Sequence, residues 1–271
     1  MTRSVRISGH FGELLQGRLG PQGPVALITL PCPVLACTAS QGAGPLHLRS
    51  KGEAVMRPAD LRQLLTALGL PRRGRFQLTT EMPVGAGLGA STAARVALAR
   101  AAGVDDPQRI AMACLAVEGA SDPVMFPAPA RLLWASREGR VLDRLPPLPD
   151  LEVLGGVFGP PRHTDARDNR FADIADLAAD WRTNAGDLPA LARLASASAR
   201  RCLAMRGPVD DPTEALAARW GALGFAVAHT GSARALLYAP GTVPPGAAHA
   251  LRAAGLTAVL HFSVAANGQH A

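Results

Sequence analysis

Three glycines fall within five residues in Gly85-Ala-Gly-Leu-Gly89, and the flanks of this segment differ in kind. Before it, Phe76-Gln-Leu-Thr-Thr80 alternates apolar and polar residues, the pattern of a half-buried strand. After it, Ser91 to Ala102 is a run of Ala, Leu, Val and Arg with good helix propensity. Strand, glycine loop and helix start commit this stretch to a mixed α and β fold and form a ready anion site. The first N–H groups of a helix have no intrahelical partner, and the helix dipole adds partial positive charge there. Glycines let the chain bend sharply and let a phosphate approach the backbone. Ser91 and Thr92 stand where a hydroxyl can cap the helix, touch phosphate or ligate Mg²⁺. The plainer reading is a glycine-rich turn before a core helix.

Several nucleotide-binding patterns are excluded. The loop lacks the Gly-Lys-Ser/Thr of a P-loop. The Rossmann spacing fails because Gly85-x-Gly87 is followed by Leu88, Gly89 and Ala90. No protein-kinase signature set is present. Lys51 is the sole lysine, so a phosphate site here must rely on backbone, arginine and metal.

The net charge of +7 is carried almost entirely by arginine, which suits an anionic substrate or nucleic acid. The arginines are scattered, however, with Arg72-Arg73 and Arg200-Arg201 as the only adjacent pairs, and nucleic-acid motifs are lacking. No apolar run reaches the roughly 18 residues of a membrane helix. Residues 1–10 lack the apolar core of a signal peptide. Cys32, Cys37, Cys114 and Cys202 form no C-x-x-C pair and read as reduced thiols of a cytoplasmic protein. At 271 residues the chain is long enough for one large or two small domains.

Hydrophobic patterning predicts a first strand over 3–8, strands over 25–28 and 34–38 split by Pro31 and Pro33, and a short strand over 46–48. Helices are predicted from Pro58 to about Leu68 and from about Gln108 to Val117. Pro146-Pro-Leu-Pro149 is a stiff connection and the best domain boundary, dividing 1–146 from 150–271. Beyond it come a strand over 151–154, helices near 170–183, 188–206, 212–220 and 244–254, and a strand near 256–264. Arg162-His-Thr164-Asp165 follows a glycine-rich strand end. It reads either as an exposed loop or as a cleft segment in which Thr164 meets substrate.

Three short islands carry a family resemblance. Pro83-Val-Gly-Ala-Gly-Leu-Gly-Ala-Ser-Thr-Ala93 resembles the phosphate loop of the GHMP kinases, with Ala90 in place of the first serine of the family pattern. Gly9-His-Phe-Gly-Glu-Leu-Leu-Gln-Gly17 resembles the family's first motif, in the version found in bacterial L-threonine kinases of cobalamin biosynthesis and propanediol utilisation. Glu118-Gly-Ala-Ser-Asp122 is similar to the Glu-Pro-Thr-Asp segment of the same kinases. A weaker match is Gly224 to Tyr238, which resembles the third motif with its glycine core reduced to Gly231-Ser232; an ordinary hairpin explains it equally well.

The resemblance implies an α+β fold with a ribosomal S5 domain 2-like N-terminal half and a ferredoxin-like C-terminal half. It implies ATP and Mg²⁺ as cofactors and phosphorylation of L-threonine to O-phospho-L-threonine for the cobalamin linker. Pro83, Gly85, Ala86, Gly87, Leu88, Gly89, Ala90, Ser91 and Thr92 would hold ATP, with Ser91 and Glu118 on the metal. Asp122 would orient or deprotonate the acceptor hydroxyl. Glu13, His10, Thr164, Gly231 and Ser232 would face substrate. Each has a structural alternative: Glu13 as a turn residue, His10 as a satisfied histidine, Glu118 as a helix end, Asp122 as a turn start. The partner is a small molecule, and a homodimer is compatible. Two other functions stay open: a GHMP kinase for homoserine, a sugar or another small alcohol, and a non-catalytic nucleotide- or metabolite-binding regulator.

Overall fold

A computed structural model describes residues 3–162, 165, 167–168, 170–229 and 231–265. The chain opens with two long strands, β1 (Ser4–Arg18) and β2 (Val25–Pro45), then β3 (His47–Lys51), α1 (Pro58–Ala67) and β4 (Arg73–Thr80). Two helices, α2 (Ala90–Ala101) and α3 (Pro107–Glu118), precede the hairpin β5 (Leu132–Ala135) and β6 (Arg140–Arg144). The second half holds β7 (Leu151–Val157), α4 (Ala175–Thr183), α5 (Leu188–Arg206), α6 (Thr213–Arg219), β8 (Gly224–Val227), β9 (Ala233–Tyr238), α7 (Ala247–Ala253) and β10 (Thr257–Val264).

The strands form one sheet in the order β10-β7-β9-β8-β1-β2-β4-β3, with β5 and β6 joined to it through β2. All pairings are antiparallel except β3 with β4. The main apolar core draws on both halves, from Phe11 and Val96 through Trp134 to Leu191 and Phe262. A second cluster forms around Phe225, Leu236, Tyr238 and Leu251. The prolines at 146–149 fall in the β6–β7 connection.

Helix α2 is buried on nearly every side, and its alanines explain how. Side chains of one carbon let it settle against β1 and β2 without a gap. Helix α3 begins with Asp106 as its cap, accepting from the N–H groups of Gln108 and Arg109, and ends at Gly119 in the left-handed region with φ 73°.

The structure departs from the sequence expectations in three places. The first strand does not stop at residue 8 but runs to Arg18, so Gly9 to Gly17 is strand rather than turn. The second is one element through Pro31 and Pro33. The ladder jumps there from Ser8↔Ala36 to Gly9↔Cys32, leaving Pro33 in a bulge where a missing N–H costs no pairing. The β5–β6 hairpin is not among the elements that the hydrophobic patterning predicts. It is anchored by Trp134, fully buried, whose indole N–H donates to the Ser121 carbonyl at 2.7 Å.

Candidate active site

The glycine loop between β4 and α2 places Gly85, Gly87 and Gly89 at φ 76°, 77° and 73°, alternating with Ala86 and Leu88. Such alternation turns successive N–H groups toward one side, forming an anion-binding concavity. The carbonyls are used elsewhere. Those of Gly85, Ala86, Gly87 and Leu88 accept from the N–H groups of Arg162, Ala233, Gly12 and His10, at 2.9, 2.7, 3.3 and 3.0 Å. Among the described residues, none of the N–H groups from Gly85 to Thr92 has a protein acceptor, and Gly89 caps α2 without a side chain. The loop is thus clamped through its oxygens and left open through its nitrogens.

The clamp is tight enough to require glycine. A Cβ on Gly87 would lie 2.3 Å from the Ala228 Cβ, and one on Gly231 would lie 2.2 Å from the Gly87 nitrogen. The first, phosphate-loop and third islands therefore touch one another, although about 220 residues separate the outermost two.

The first turn of α2 meets the end of α3. The Ser91 hydroxyl donates to Glu118 Oε1 at 2.7 Å. Arg95, one turn on, reaches Glu118 Oε2 at 2.9 Å and also contacts the Ser91 hydroxyl and carbonyl. Arg95 is 6 % exposed and Glu118 25 % in their side chains, so the pair forms the floor of a cleft. The two oxygens suit Mg²⁺, which takes oxygen donors and often only one or two from the protein. The Glu118 Oε1 that faces Ser91 is the one not bonded to Arg95.

A second polar group stands beside the first. His10 and Glu13 project from β1, and Asp122 precedes the short 3₁₀ turn Pro123–Met125. His10 Nε2 is 3.3 Å from Asp122 Oδ2, and Nδ1 is 3.4 Å from Glu13 Oε1. Thr92 donates to Asp122 Oδ2 at 3.1 Å. Burial works against charge on His10, but the two carboxylates outweigh it and raise its pKa to about 9. Burial pushes the Glu13 carboxyl up, against the pull of His10. Asp122 is desolvated too, yet His10 and Thr92 hold it below the usual carboxylate range. The imidazolium therefore belongs chiefly with Asp122, which stays ionised. All these groups line one cleft of about 430 Å³, together with Pro83, Gly85, Gly87, Leu88, Gly89 and Ala90.

No protein-family model matches the sequence, and no curated protein matches it significantly. Solved structures do. L. major mevalonate kinase in complex with R-mevalonate aligns over 98 % of this chain and 97 % of its own, at TM-score 0.64 and 14 % identity. Homoserine kinase from Cytophaga hutchinsonii aligns over 98 % and 96 %, at 0.63 and 14 %. Streptococcus pneumoniae phosphomevalonate kinase aligns over 97 % and 100 %, at 0.67 and 11 %. The chain has the GHMP-kinase fold. Identities this low establish the fold, and what the chain does must be argued from its site.

Within that GHMP-kinase fold, the sequence-predicted residues fall into three groups. His10, Glu13, Glu118, Asp122 and most of the loop share the cleft. Ala86 is buried beneath it, and Gly231 packs on the loop backbone. Ser232, 3 % exposed, turns its hydroxyl to the Pro160 carbonyl and is absent from the cleft wall. Thr164 lies outside the described residues. Sequence reasoning missed Arg95, Ser121, Arg137 and His229, which also line the cleft. Arg95 was findable, one helical turn after Ser91 and so on the same face. Arg137 and His229 carry no such signal.

His229, which lines the cleft beside the loop, is backed by Phe171. The His229 ring stacks on it with centroids 4.7 Å apart and planes 5° apart, and Arg206 lies 4.7 Å from its centroid. Burial, with Arg206 and Arg137 nearby, lowers the His229 pKa to about 3, so this ring stays neutral.

Proposed function

We propose that this chain is an ATP-dependent small-molecule kinase that phosphorylates a hydroxyl group. We infer L-threonine as acceptor and O-phospho-L-threonine as product, serving the cobalamin linker in the cytoplasm. The observation that carries the reading is the run of N–H groups from Gly85 to Thr92, unpartnered among the described residues, in the same cleft as ionised Asp122. The first feature suits polyphosphate and the second suits a hydroxyl that must lose a proton.

The N-terminal half, 1–146, supplies the loop and both acidic groups, and the half from 150 to 271 adds Arg162 and His229 to the cleft. The loop N–H groups cradle the phosphates, with the dipole of α2 behind them. Arg95 adds fixed positive charge at the helix start. Mg²⁺ held by Ser91 and Glu118 would neutralise charge on the transferring phosphoryl group. Asp122 accepts the acceptor's hydroxyl proton as the new O–P bond forms and the bond to ADP breaks. His10 holds Asp122 in its ionised form, and Glu13 faces the acceptor's ammonium group.

A nucleotide-binding regulator of the same fold is the second reading. It is favoured by Arg95, which already neutralises Glu118, and by Ala90 in place of a hydroxyl.

The deciding experiment measures ADP release from Mg-ATP with L-threonine, L-serine, L-homoserine and no acceptor. Threonine-dependent turnover supports the full reading. Turnover only with another acceptor keeps the kinase and removes threonine. ATP binding by calorimetry without acceptor-dependent turnover favours the regulator, and no ATP binding sinks both.

A further inference from the structure

We propose that Arg137 recognises a carboxylate on the acceptor, so that the molecule phosphorylated is a hydroxy acid rather than a sugar or a neutral alcohol. This inference rests on the kinase reading above and narrows its substrate class.

Four arginines line the cleft: Arg57, Arg95, Arg137 and Arg162. Arg57 pairs with Asp60 at 2.8 Å and Arg95 with Glu118 at 2.9 Å. Arg162 is exposed to solvent. Arg137 is half-buried and, among the described residues, has no carboxylate partner. The acid next to it in sequence, Glu138, is taken by Arg140 at 2.6 Å. One guanidinium nitrogen of Arg137, Nη2, donates to the Asp165 carbonyl at 3.0 Å. The other, Nη1, is buried with no acceptor among the described residues.

Asp168 and Asp165 act on this guanidinium electrostatically, but neither reaches it at ion-pair distance, and a buried donor left without a hydrogen bond is costly. This guanidinium is also held in place. It sits on the tight β5–β6 turn, where the N–H groups of Glu138 and Gly139 both bond to the Ala135 carbonyl. Its Cζ lies 6.0 Å from the Phe171 centroid. A fixed, desolvated guanidinium with an open nitrogen is a receptor for a planar anion.

The surroundings favour a singly charged carboxylate over a phosphate. The phosphates of a nucleotide are accounted for by the loop amides. Asp168, Asp165 and Asp122, all within electrostatic reach of Arg137, contribute negative charge that would oppose a dianion more than a singly charged group. Other buried groups without a partner among the described residues line the same cleft: the Ser121 hydroxyl and the two ring nitrogens of His229, one a donor and one an acceptor in the neutral ring. Arg137 and Asp122 together therefore define two points on the acceptor, a carboxylate and a nearby hydroxyl, as a small hydroxy acid offers them.

The test compares acid with amide. With the full chain and Mg-ATP, kcat/KM is measured for L-threonine and L-threoninamide in wild type, Arg137→Gln and Arg137→Lys. Losing a charge-paired contact of this kind costs about 100-fold, so the amide should fall behind the acid by that factor. Arg137→Gln should raise KM for threonine by a similar factor, leave KM for ATP within about 2-fold, and erase the preference for acid over amide. Arg137→Lys should recover part of it. Amide used as well as acid, or Arg137→Gln raising both KM values alike, overturns the proposal.

If threonine is not the acceptor, the same comparison is made by calorimetric binding over acid–amide pairs of serine, homoserine and glycerate. No acid binding better than its amide overturns the carboxylate reading. Turnover with a neutral alcohol would do the same while leaving the kinase intact. Absence of ATP binding would remove the kinase and this inference together.

Discussion

Ser91 Oγ lies 2.7 Å from Glu118 Oε1, joining the first turn of α2 to the last residue of α3. The contact brings a hydroxyl and a carboxylate from 27 residues apart to the mouth of the glycine loop, where a metal–phosphate complex would sit. Arg95 completes the arrangement on the far oxygen. Two oxygens shared in this way separate two roles that substitution can tell apart.

The first prediction uses that separation. Ser91→Ala removes one of the two oxygens proposed to hold Mg²⁺ but leaves the Arg95–Glu118 pair, so turnover should fall about 100-fold while stability changes by less than ~1 kcal/mol. Glu118→Gln should abolish the same activity and also strand buried Arg95, costing roughly 3 kcal/mol. Steady-state kinetics and urea denaturation of both variants check this. Equal stability of the two would mean that Arg95 does not depend on Glu118.

A second prediction concerns the clamp on the loop. Gly231→Ala places a Cβ 2.2 Å from the Gly87 nitrogen, and Gly87→Ala one 2.3 Å from the Ala228 Cβ, with φ 77° as added strain. Both should weaken ATP binding at least about tenfold and cost about 1–3 kcal/mol. Gly20→Ala is the control: φ is 79° there, but nothing lies within 4 Å of the new Cβ. It should cost about 1 kcal/mol and leave ATP affinity unchanged. Calorimetric titration of ATP into the three variants decides it. Unchanged affinity in Gly231→Ala would show that the third island does not shape the loop.

How far these features are legible beforehand depends on how local their causes are. Gly85, Gly87 and Gly89 announce a loop because left-handed φ angles select glycine directly. Ser91, Glu118 and Asp122 could be named because each lies in a short motif. Ser232 was named on the same grounds, but whether its hydroxyl points to ligand or to the Pro160 carbonyl is decided by a distant segment. Arg137 was invisible for the converse reason. Its environment is assembled from Asp122, Asp165 and Phe171, none of them near it in sequence. The continuity of β2 through two prolines was also hidden, since a proline does not by itself reveal that its own strand bulges against its neighbour.

The two cleft histidines give a third prediction, with opposite signs. His10 has its pKa raised to about 9, so its contribution to stability is complete below the unfolded value of about 6.5 and is lost as pH rises through 9. His229 has its pKa lowered to about 3, so it contributes above about 6.5 and loses that contribution as pH falls toward 3. Wild-type stability should therefore decline on both sides of a maximum near neutrality. His10→Gln should flatten the alkaline limb between about 6.5 and 9 and leave the acid limb in place. Denaturation midpoints from pH 4 to 10, with imidazole NMR titration, test it. A His10 resonance titrating near 6.5 would end the argument that Asp122 holds it charged.

The last prediction reaches the loop from outside the cleft. Arg234 and Asp211 are each 6 % exposed in their side chains and meet at 2.6 Å. Besides Asp211, Arg234 donates through Nη1 to the carbonyls of Gly231 and Ala233, at 3.4 and 2.9 Å, and so holds the turn that presses on Gly87. Asp211→Asn leaves a buried guanidinium unpaired and should cost about 3–5 kcal/mol. Because the turn is held by the same guanidinium, ATP affinity should fall with stability although Asp211 does not line the cleft. Arg234→Met with Asp211→Leu restores apolar packing without the ion pair. It should recover part of the stability, short of the bonds that Asp211 accepts from the Thr213 N–H and hydroxyl, but not the ATP affinity, because the bonds to the Gly231 and Ala233 carbonyls are still missing. Denaturation and nucleotide calorimetry on the single and double variants separate the two effects. If affinity returned with stability, the bonds from Arg234 to the turn would have no part in shaping the phosphate loop.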